Sequence, residues 1–150
     1  MPVNTELARP ETDDDFEAMC CMLYQRVYLD PGLMRVGGAG QAQFGVDLLG
    51  VDRRTPAGVS IGIQCKHYVK KKFTFKTVTD DVDEADKANL AIEHLTFATT
   101  APPSAEIVKR VHELSQQRRK TGKFTVSVEY WNTIQAHIRI FPEVGRAYIP

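Results

Sequence analysis

Two short apolar stretches carry polar residues whose types and spacing suit chemistry at a metal ion and a phosphate. The stretch FGVDLLG, Phe44–Gly50, contains a single carboxylate, Asp47. The stretch IGIQCKHY, Ile61–Tyr68, contains Gln64 and Lys66, two residues apart. A polar group inside an apolar strand costs free energy unless it is hydrogen-bonded or has a function. These three residues are therefore the first candidates for a site.

Oxygen ligands and a cation are the chemistry that these residues offer. Side chains alternate along a strand, so Gln64 and Lys66 point to the same face, and Asp47 approaches them if the two stretches pair. Asp47, Gln64 and the backbone carbonyl of Cys65 supply three oxygens of the kind that a hard divalent cation accepts. Such a cation polarises a phosphate oxygen and favours hydroxide formation from bound water. Lys66 would hold the attacking water or stabilise the charge that develops on the phosphate.

The first half of the chain supplies a helix and a hairpin to position these groups. Apolar residues at helical spacing from Phe16 to Val27 predict a helix over about residues 14–28, with helix-start chemistry in TDDDF. A short strand is expected at 33–36. The stretches 44–52 and 59–68, joined by RRTPAG, predict an antiparallel pair of strands.

The second half predicts alternating helices and strands. The pattern indicates a helix from about 77–80 to 90, a strand at 94–101, a helix over 103–121 and a strand at 123–131. Residues 132–141 favour a short helix or a helix running into a strand. Tyr130 and Trp131 are expected to pack in the core or at an interface. Helical crossovers together with a hairpin predict an α/β fold, a mixed central sheet with helices on both faces.

Composition limits the classes of protein that this chain can represent. At 150 residues with 43% hydrophobic and 25% charged residues, it fits one ordinary domain. No apolar run is long enough to cross a membrane and the N-terminus is polar and acidic, which predicts a cytoplasmic protein. Cys20, Cys21 and Cys65 have no CxxC spacing, so reduced thiols are expected rather than disulfides or zinc. The net charge is zero, with separate acidic and basic blocks.

The motif D…QxK formed by Asp47, Gln64 and Lys66 resembles the PD-(D/E)XK nuclease superfamily, in its Mrr-like restriction endonuclease branch. The resemblance covers roughly residues 16–128, and FEAMC places Glu17 where the family's first helix often carries a further metal ligand. It implies a restriction-endonuclease-like fold that cuts double-stranded DNA with Mg²⁺, for which Mn²⁺ can substitute. It implies metal ligation by Asp47, Gln64, the Cys65 carbonyl and Glu17, with Lys66 assisting. No proline precedes Asp47, and the neutral Gln64 leaves the site with one carboxylate fewer than a D…ExK site.

The resemblance also implies partners. Restriction enzymes and anti-phage effectors of this kind are often fused to a sensor or NTPase module, so residues 14–150 form either an excised nuclease domain or a partner-dependent subunit after a flexible tail, residues 1–13. Double-strand cutting would need a homo-oligomer or a partner-activated assembly. The expected DNA contacts are His67, Lys70, Lys71, Lys72 and Gln43. A catalytically inactive DNA-binding or assembly module, a junction-resolving nuclease and an RNA-cutting nuclease remain open alternatives.

Overall fold

One sheet with helices packed against it forms the core of the chain. The structure is a computed structural model that describes residues 6–37, 45–68 and 72–150. Within these ranges the elements are α1 (Asp13–Val27), β1 (Met34–Arg35), β2 (Leu48–Asp52), β3 (Val59–Lys66), α2 (Phe75–Ala88), β4 (His94–Thr99), α3 (Ala105–Lys120), β5 (Thr125–Glu129), α4 (Trp131–Ile140) and α5 (Pro142–Tyr148). The predicted order of elements is confirmed, and α5 adds a helix where the sequence gave no clear pattern.

The five strands of the described chain lie in the sheet in the order in which they occur in the sequence. β1, β2 and β3 are antiparallel neighbours, with Leu48 opposite Ile63. β3, β4 and β5 are parallel, with Lys66 opposite Thr99. The chain is therefore an α/β protein with a mixed sheet, as the hairpin and the helical crossovers predicted.

Alternation along the strands divides the buried side chains into two apolar clusters. Ile61 and Ile63 of β3 pack with residues of α1, α4 and α5 in the first cluster. Leu95 and Phe97 of β4 pack with residues of α2 and α3 in the second cluster. Residues one position apart on a strand face opposite sides, so the helices cover both faces of the sheet.

Local chemistry explains where the helices begin. Thr12 caps α1, because its hydroxyl oxygen accepts a hydrogen bond from the Asp15 backbone amide at 3.0 Å. Thr74 caps α2 in the same way, so α2 begins at Phe75, a few residues earlier than the apolar pattern alone predicted. α4 is a helix throughout because Ile134 and Ile138 are both buried at helical spacing.

The segment before α1 crosses the end of the sheet without forming a helix or a strand. The Leu7 amide donates to Gln135 Oε1 at 2.6 Å, and Trp131 Nε1 donates to the Leu7 carbonyl at 3.3 Å. Trp131 and Tyr130 are buried, which confirms that they pack in the core. The flexibility of residues 1–13 stays a prediction. No helix in the described ranges has the length and apolar character needed to span a membrane.

Candidate active site

Asp47 lies at the entrance to the hairpin, one residue before β2 rather than inside the strand. Its backbone amide donates to the Ile63 carbonyl at 2.9 Å, and its carbonyl accepts from the Val36 amide at 2.9 Å. Its carboxylate accepts a hydrogen bond from the Cys65 amide, with 2.8 Å between Oδ2 and the nitrogen. Both main chain and side chain of Asp47 are therefore fixed against the end of β3.

Glu17 reaches Asp47 from α1, so the structure brings together two carboxyl groups that the rest of α1 and β1 separate in the sequence. The two side chains are close enough for Glu17 to affect the pKa of Asp47. Burial raises the pKa of Asp47 to about 6, and the neighbouring charge of Glu17 raises it as well. The Cys65 amide and Lys66 oppose this rise in pKa without cancelling it. A buried carboxyl group with a raised pKa beside a second carboxyl group is a place where a cation would be favoured.

Gln64 precedes Cys65 on β3, and its amide oxygen has no hydrogen-bond partner among the described residues. Oε1 is buried without a hydrogen bond from any residue that the structure describes. A buried acceptor in that condition costs about 1–3 kcal/mol. A bound ion is one of the recognised reasons for such a group in a folded protein. The unpaired Gln64 oxygen is therefore the feature of this structure that is consistent with a metal ligand at this position.

Lys66 points to the same side of β3 as Gln64 and meets an acid from α2. Its Nζ lies 2.6 Å from Asp81 Oδ2, and the two side chains are only 22% and 18% exposed. Gly45 makes this approach possible. Its φ is +72°, and a Cβ at this position would collide with the Asp81 backbone carbonyl. The hairpin thus packs directly on α2 and places Lys66 against Asp81.

The residues present fit a hard divalent cation. Two carboxylates, Glu17 and Asp47, stand with the Gln64 amide oxygen and the Cys65 carbonyl as oxygen donors, which Mg²⁺ and Mn²⁺ accept together with water. The described residues contain no group of three or more His, Cys, Asp or Glu side chains suited to a metal.

The expected DNA contacts fall in several places. His67 contacts Asp13 Oδ1 through Nδ1 at 2.9 Å and the Pro10 carbonyl through Nε2 at 2.8 Å, and its side chain is 4% exposed. Lys72 is exposed beside a groove. Gln43, Lys70 and Lys71 lie outside the described residues. Contact of these five residues with DNA stays a prediction.

Two residues of the site were missed from sequence. Arg35 of β1 contacts Glu17 and pairs with Asp14 at 2.6 Å, so it places a positive charge against both α1 carboxylates. Asp81 binds Lys66. Arg35 belongs to a strand of only two residues, and Asp81 lies in the acidic run 80–86, which has the pattern of a solvated helix face. Neither position carries a local signal; only the packing of α1 and α2 on the sheet reveals them.

Comparison with known proteins adds no relative. No family model, no curated protein and no solved structure matches the chain. What the site does must therefore be argued from its own residues.

Proposed function

We propose that the chain is a metal-dependent endonuclease domain that hydrolyses phosphodiester bonds in DNA, with the restriction-endonuclease-like arrangement that its D…QxK motif resembles. One observation carries the proposal. Glu17 lies close enough to Asp47 to raise the pKa of its carboxyl group, Lys66 lies close enough to lower it, and Gln64 on the adjoining strand has a buried Oε1 with no hydrogen-bond partner among the described residues. A buried carboxyl group with a raised pKa, such as Asp47 beside Lys66, is typical of functional sites.

Each residue then has a distinct task. Glu17, Asp47, Gln64 and the Cys65 carbonyl would hold the cation. Mg²⁺ in such a site supplies Lewis acidity toward a phosphate oxygen and a lowered pKa for water. The Cys65 amide fixes the Asp47 carboxylate, because it donates to Oδ2. Lys66 orients the water or stabilises the negative charge that grows on the phosphate.

Arg35 and Asp81 would act as counter-charges that aim the central groups. Arg35 contacts Glu17 and so limits the positions that this carboxylate can adopt. Asp81 holds the Lys66 ammonium close to the sheet, where both side chains are largely shielded from water. A charged side chain held by its partner before substrate arrives needs less reorganisation during the reaction.

The wider assignments rest on the resemblance alone. A restriction or anti-phage role, double-stranded DNA as target, assembly as a homo-oligomer or with an activating partner, and a fused sensor or NTPase module are part of the proposal on that basis. The cytoplasmic location rests on the sequence composition.

Plasmid cleavage tests the proposal directly. Supercoiled DNA would be incubated with the protein in Mg²⁺, in Mn²⁺ and in EDTA, over a series of protein concentrations. We expect cutting only with metal, and a loss of at least about a hundredfold in Asp47→Ala and Lys66→Ala. Asp83→Ala and Lys76→Ala, on exposed positions of α2, are the matched controls. Cutting by Asp47→Ala or Lys66→Ala at the wild-type rate rejects the mechanism.

A second candidate is a DNA-binding or assembly module without catalysis. It is favoured by one observation: Glu17 and Lys66 are each engaged by an opposite charge of the chain itself, Arg35 and Asp81. In that case DNA binding would be sensitive to salt, would persist in EDTA and in Lys66→Ala, and would never lead to cutting at any protein concentration.

A further inference from the structure

A large groove opens at the carboxyl ends of the parallel strands β3 and β4. Its volume is about 1080 Å³, which is enough for a ligand the size of a nucleotide or somewhat larger. Thr74 and Ser104, the capping residues of α2 and α3, lie on its lining, as do Thr100 after β4 and Tyr68 after β3. The segment around Pro10 closes one side.

Three aromatic rings, Tyr68, Phe73 and Phe75, line the groove. Phe73 is buried in its floor, and the Tyr68 ring meets it edge-on with 5.9 Å between the ring centroids. Phe75 is partly exposed, and the guanidinium of Arg110 lies 4.1 Å from the centre of its ring. Partly exposed rings with a guanidinium on one face can stack a flat heteroaromatic group.

The charges of the groove favour a ligand with both a flat ring and a phosphate. Among the residues that the structure describes, Lys72 and Arg110 have no carboxylate partner, whereas Arg9 pairs with Glu6 at 3.0 Å. Glu11 and Glu106 also line the groove. A wall with both signs of charge suits a polyanionic duplex poorly, because the acids would repel its dense phosphates. One or a few nucleotides can set a base on the rings and a phosphate at Lys72 or Arg110.

The groove adjoins the candidate active site. Tyr68 follows Lys66 by two residues, a distance of about 7 Å along an extended chain. Thr100 ties the two together, since its amide donates to the Lys66 carbonyl at 3.2 Å and its hydroxyl accepts from the Tyr68 amide at 2.8 Å. A DNA strand with one phosphate at Lys66 would therefore place its neighbouring nucleotides in the groove.

We propose that this groove binds unpaired nucleotides next to the phosphate that is cut, so that the preferred substrate is single-stranded DNA or DNA with an unpaired segment, in place of the intact duplex that the resemblance implies. The inference rests on the proposed function for the identity of the site beside the groove, although the binding itself is measurable without cleavage. Bases in an intact duplex are stacked on each other and cannot reach Tyr68 or Phe75, whereas unpaired bases can.

Fluorescence anisotropy in EDTA tests the proposal with the full chain. The probes are a short fluorescein-labelled single-stranded DNA and a duplex of the same sequence. We expect tighter binding of the single strand, and a loss of about tenfold in its affinity for Phe75→Leu, which keeps apolar volume but removes the ring. Arg110→Ala should weaken it about fivefold. Lys109→Ala is the matched control, an exposed cation next to Arg110 that does not line the groove, and should bind like the wild type.

Three results would overturn the proposal. The first is binding of the duplex as tight as that of the single strand. The second is an Arg110→Ala variant, folded by circular dichroism, that binds like Lys109→Ala. The third is complete competition by a mononucleotide at concentrations equal to those of the oligonucleotide, which would indicate a site for free nucleotides. Cleavage assays separate the two proposals. Single-strand binding without any cutting would support the groove proposal and reject the nuclease proposal. Duplex cutting without a preference for single strands would support the nuclease and reject the groove.

Discussion

Two partly buried carboxyl groups, Glu129 and Asp47, lie in opposite electrostatic conditions. Glu129, at the end of β5, accepts a hydrogen bond from the Tyr24 hydroxyl at 2.6 Å and another from His137 Nε2 at 3.0 Å. Burial favours a higher pKa for Glu129, but the hydrogen bonds from His137 and Tyr24 outweigh it and the pKa is lowered. Asp47 has one amide donor and a second carboxyl group beside it, and burial raises its pKa to about 6.

The difference separates a carboxylate whose donors come from the protein itself from one that, under the proposed function, would bind a cation. Glu129 connects α1, β5 and α4 through donors that the protein itself supplies. Asp47 and Glu17 receive too few donors for two negative charges, although Arg35 partly compensates. Burial alone therefore does not identify a functional acid; the balance between burial and donors does.

The largest expected effect is a loss of stability when Glu129 is removed. Glu129→Ala leaves the fully buried Tyr24 hydroxyl and the His137 imidazole without their acceptor. We expect the free energy of unfolding to fall by about 2–4 kcal/mol, measured by urea denaturation at neutral pH.

Glu113→Ala on the exposed side of α3 is the control and should change the free energy of unfolding by less than about 0.5 kcal/mol. A double variant with Tyr24→Phe separates the hydrogen bond from the loss of side-chain volume. If the two changes were additive, Tyr24 and Glu129 would not be coupled and the structural role of Glu129 would be wrong.

These two carboxyl groups also differ in how far sequence could predict them. Asp47, Gln64 and Lys66 stand out because a period of two in an apolar strand makes each polar exception visible, and because a hairpin fixes their proximity. Glu17 was predicted only through the resemblance, which places a metal ligand on the first helix. Glu129 has no such signal: its partner Tyr24 is 105 residues away on a helix packed across the sheet.

Helices and strands, like site residues, were predictable where the sequence carries a local pattern. Elements with a strong period, such as α3 and β3, were predicted to within a few residues, since alternation and helical spacing are local properties. β1 shortened to Met34–Arg35, and α5 was missed, because neither has enough residues to show a period. The contact of Lys66 with Asp81 depends on how closely α2 approaches the hairpin at Gly45, which is a property of packing rather than of any local pattern.

A gain in stability, opposite to the loss expected for Glu129→Ala, is expected when the charge of Asp47 is removed. In EDTA at pH 7, Asp47→Asn should raise the free energy of unfolding by about 1–2 kcal/mol, because it removes a buried charge next to Glu17 while its amide oxygen can still accept from Cys65. The pKa of Asp47 is higher in the folded than in the unfolded protein, so the native state binds the extra proton. Wild-type stability therefore falls as pH rises from about 4 to about 6.

The variant cannot bind that proton, so its advantage over the wild type should be small near pH 4, grow through pH 6 and then level off. Asp83→Asn, exposed on α2, should show no such pH dependence. An Asp47→Asn variant that is less stable than the wild type at pH 7 would mean that Asp47, like Glu129, is a structural carboxylate.

The smallest effect concerns Gln64 and is the sharpest test of a cation at this site. Mg²⁺ that binds only the folded protein should raise the melting temperature with concentration, by a few degrees at most for a weak site. Gln64→Met replaces the buried, unpaired amide oxygen with an apolar group of similar length, so without metal it should be neutral or stabilising. With Mg²⁺ its rise in melting temperature should disappear, whereas Gln117→Met on the exposed face of α3 should keep the wild-type rise. An undiminished rise in Gln64→Met would assign the metal to Glu17 and Asp47 alone and leave the orphaned oxygen without a role.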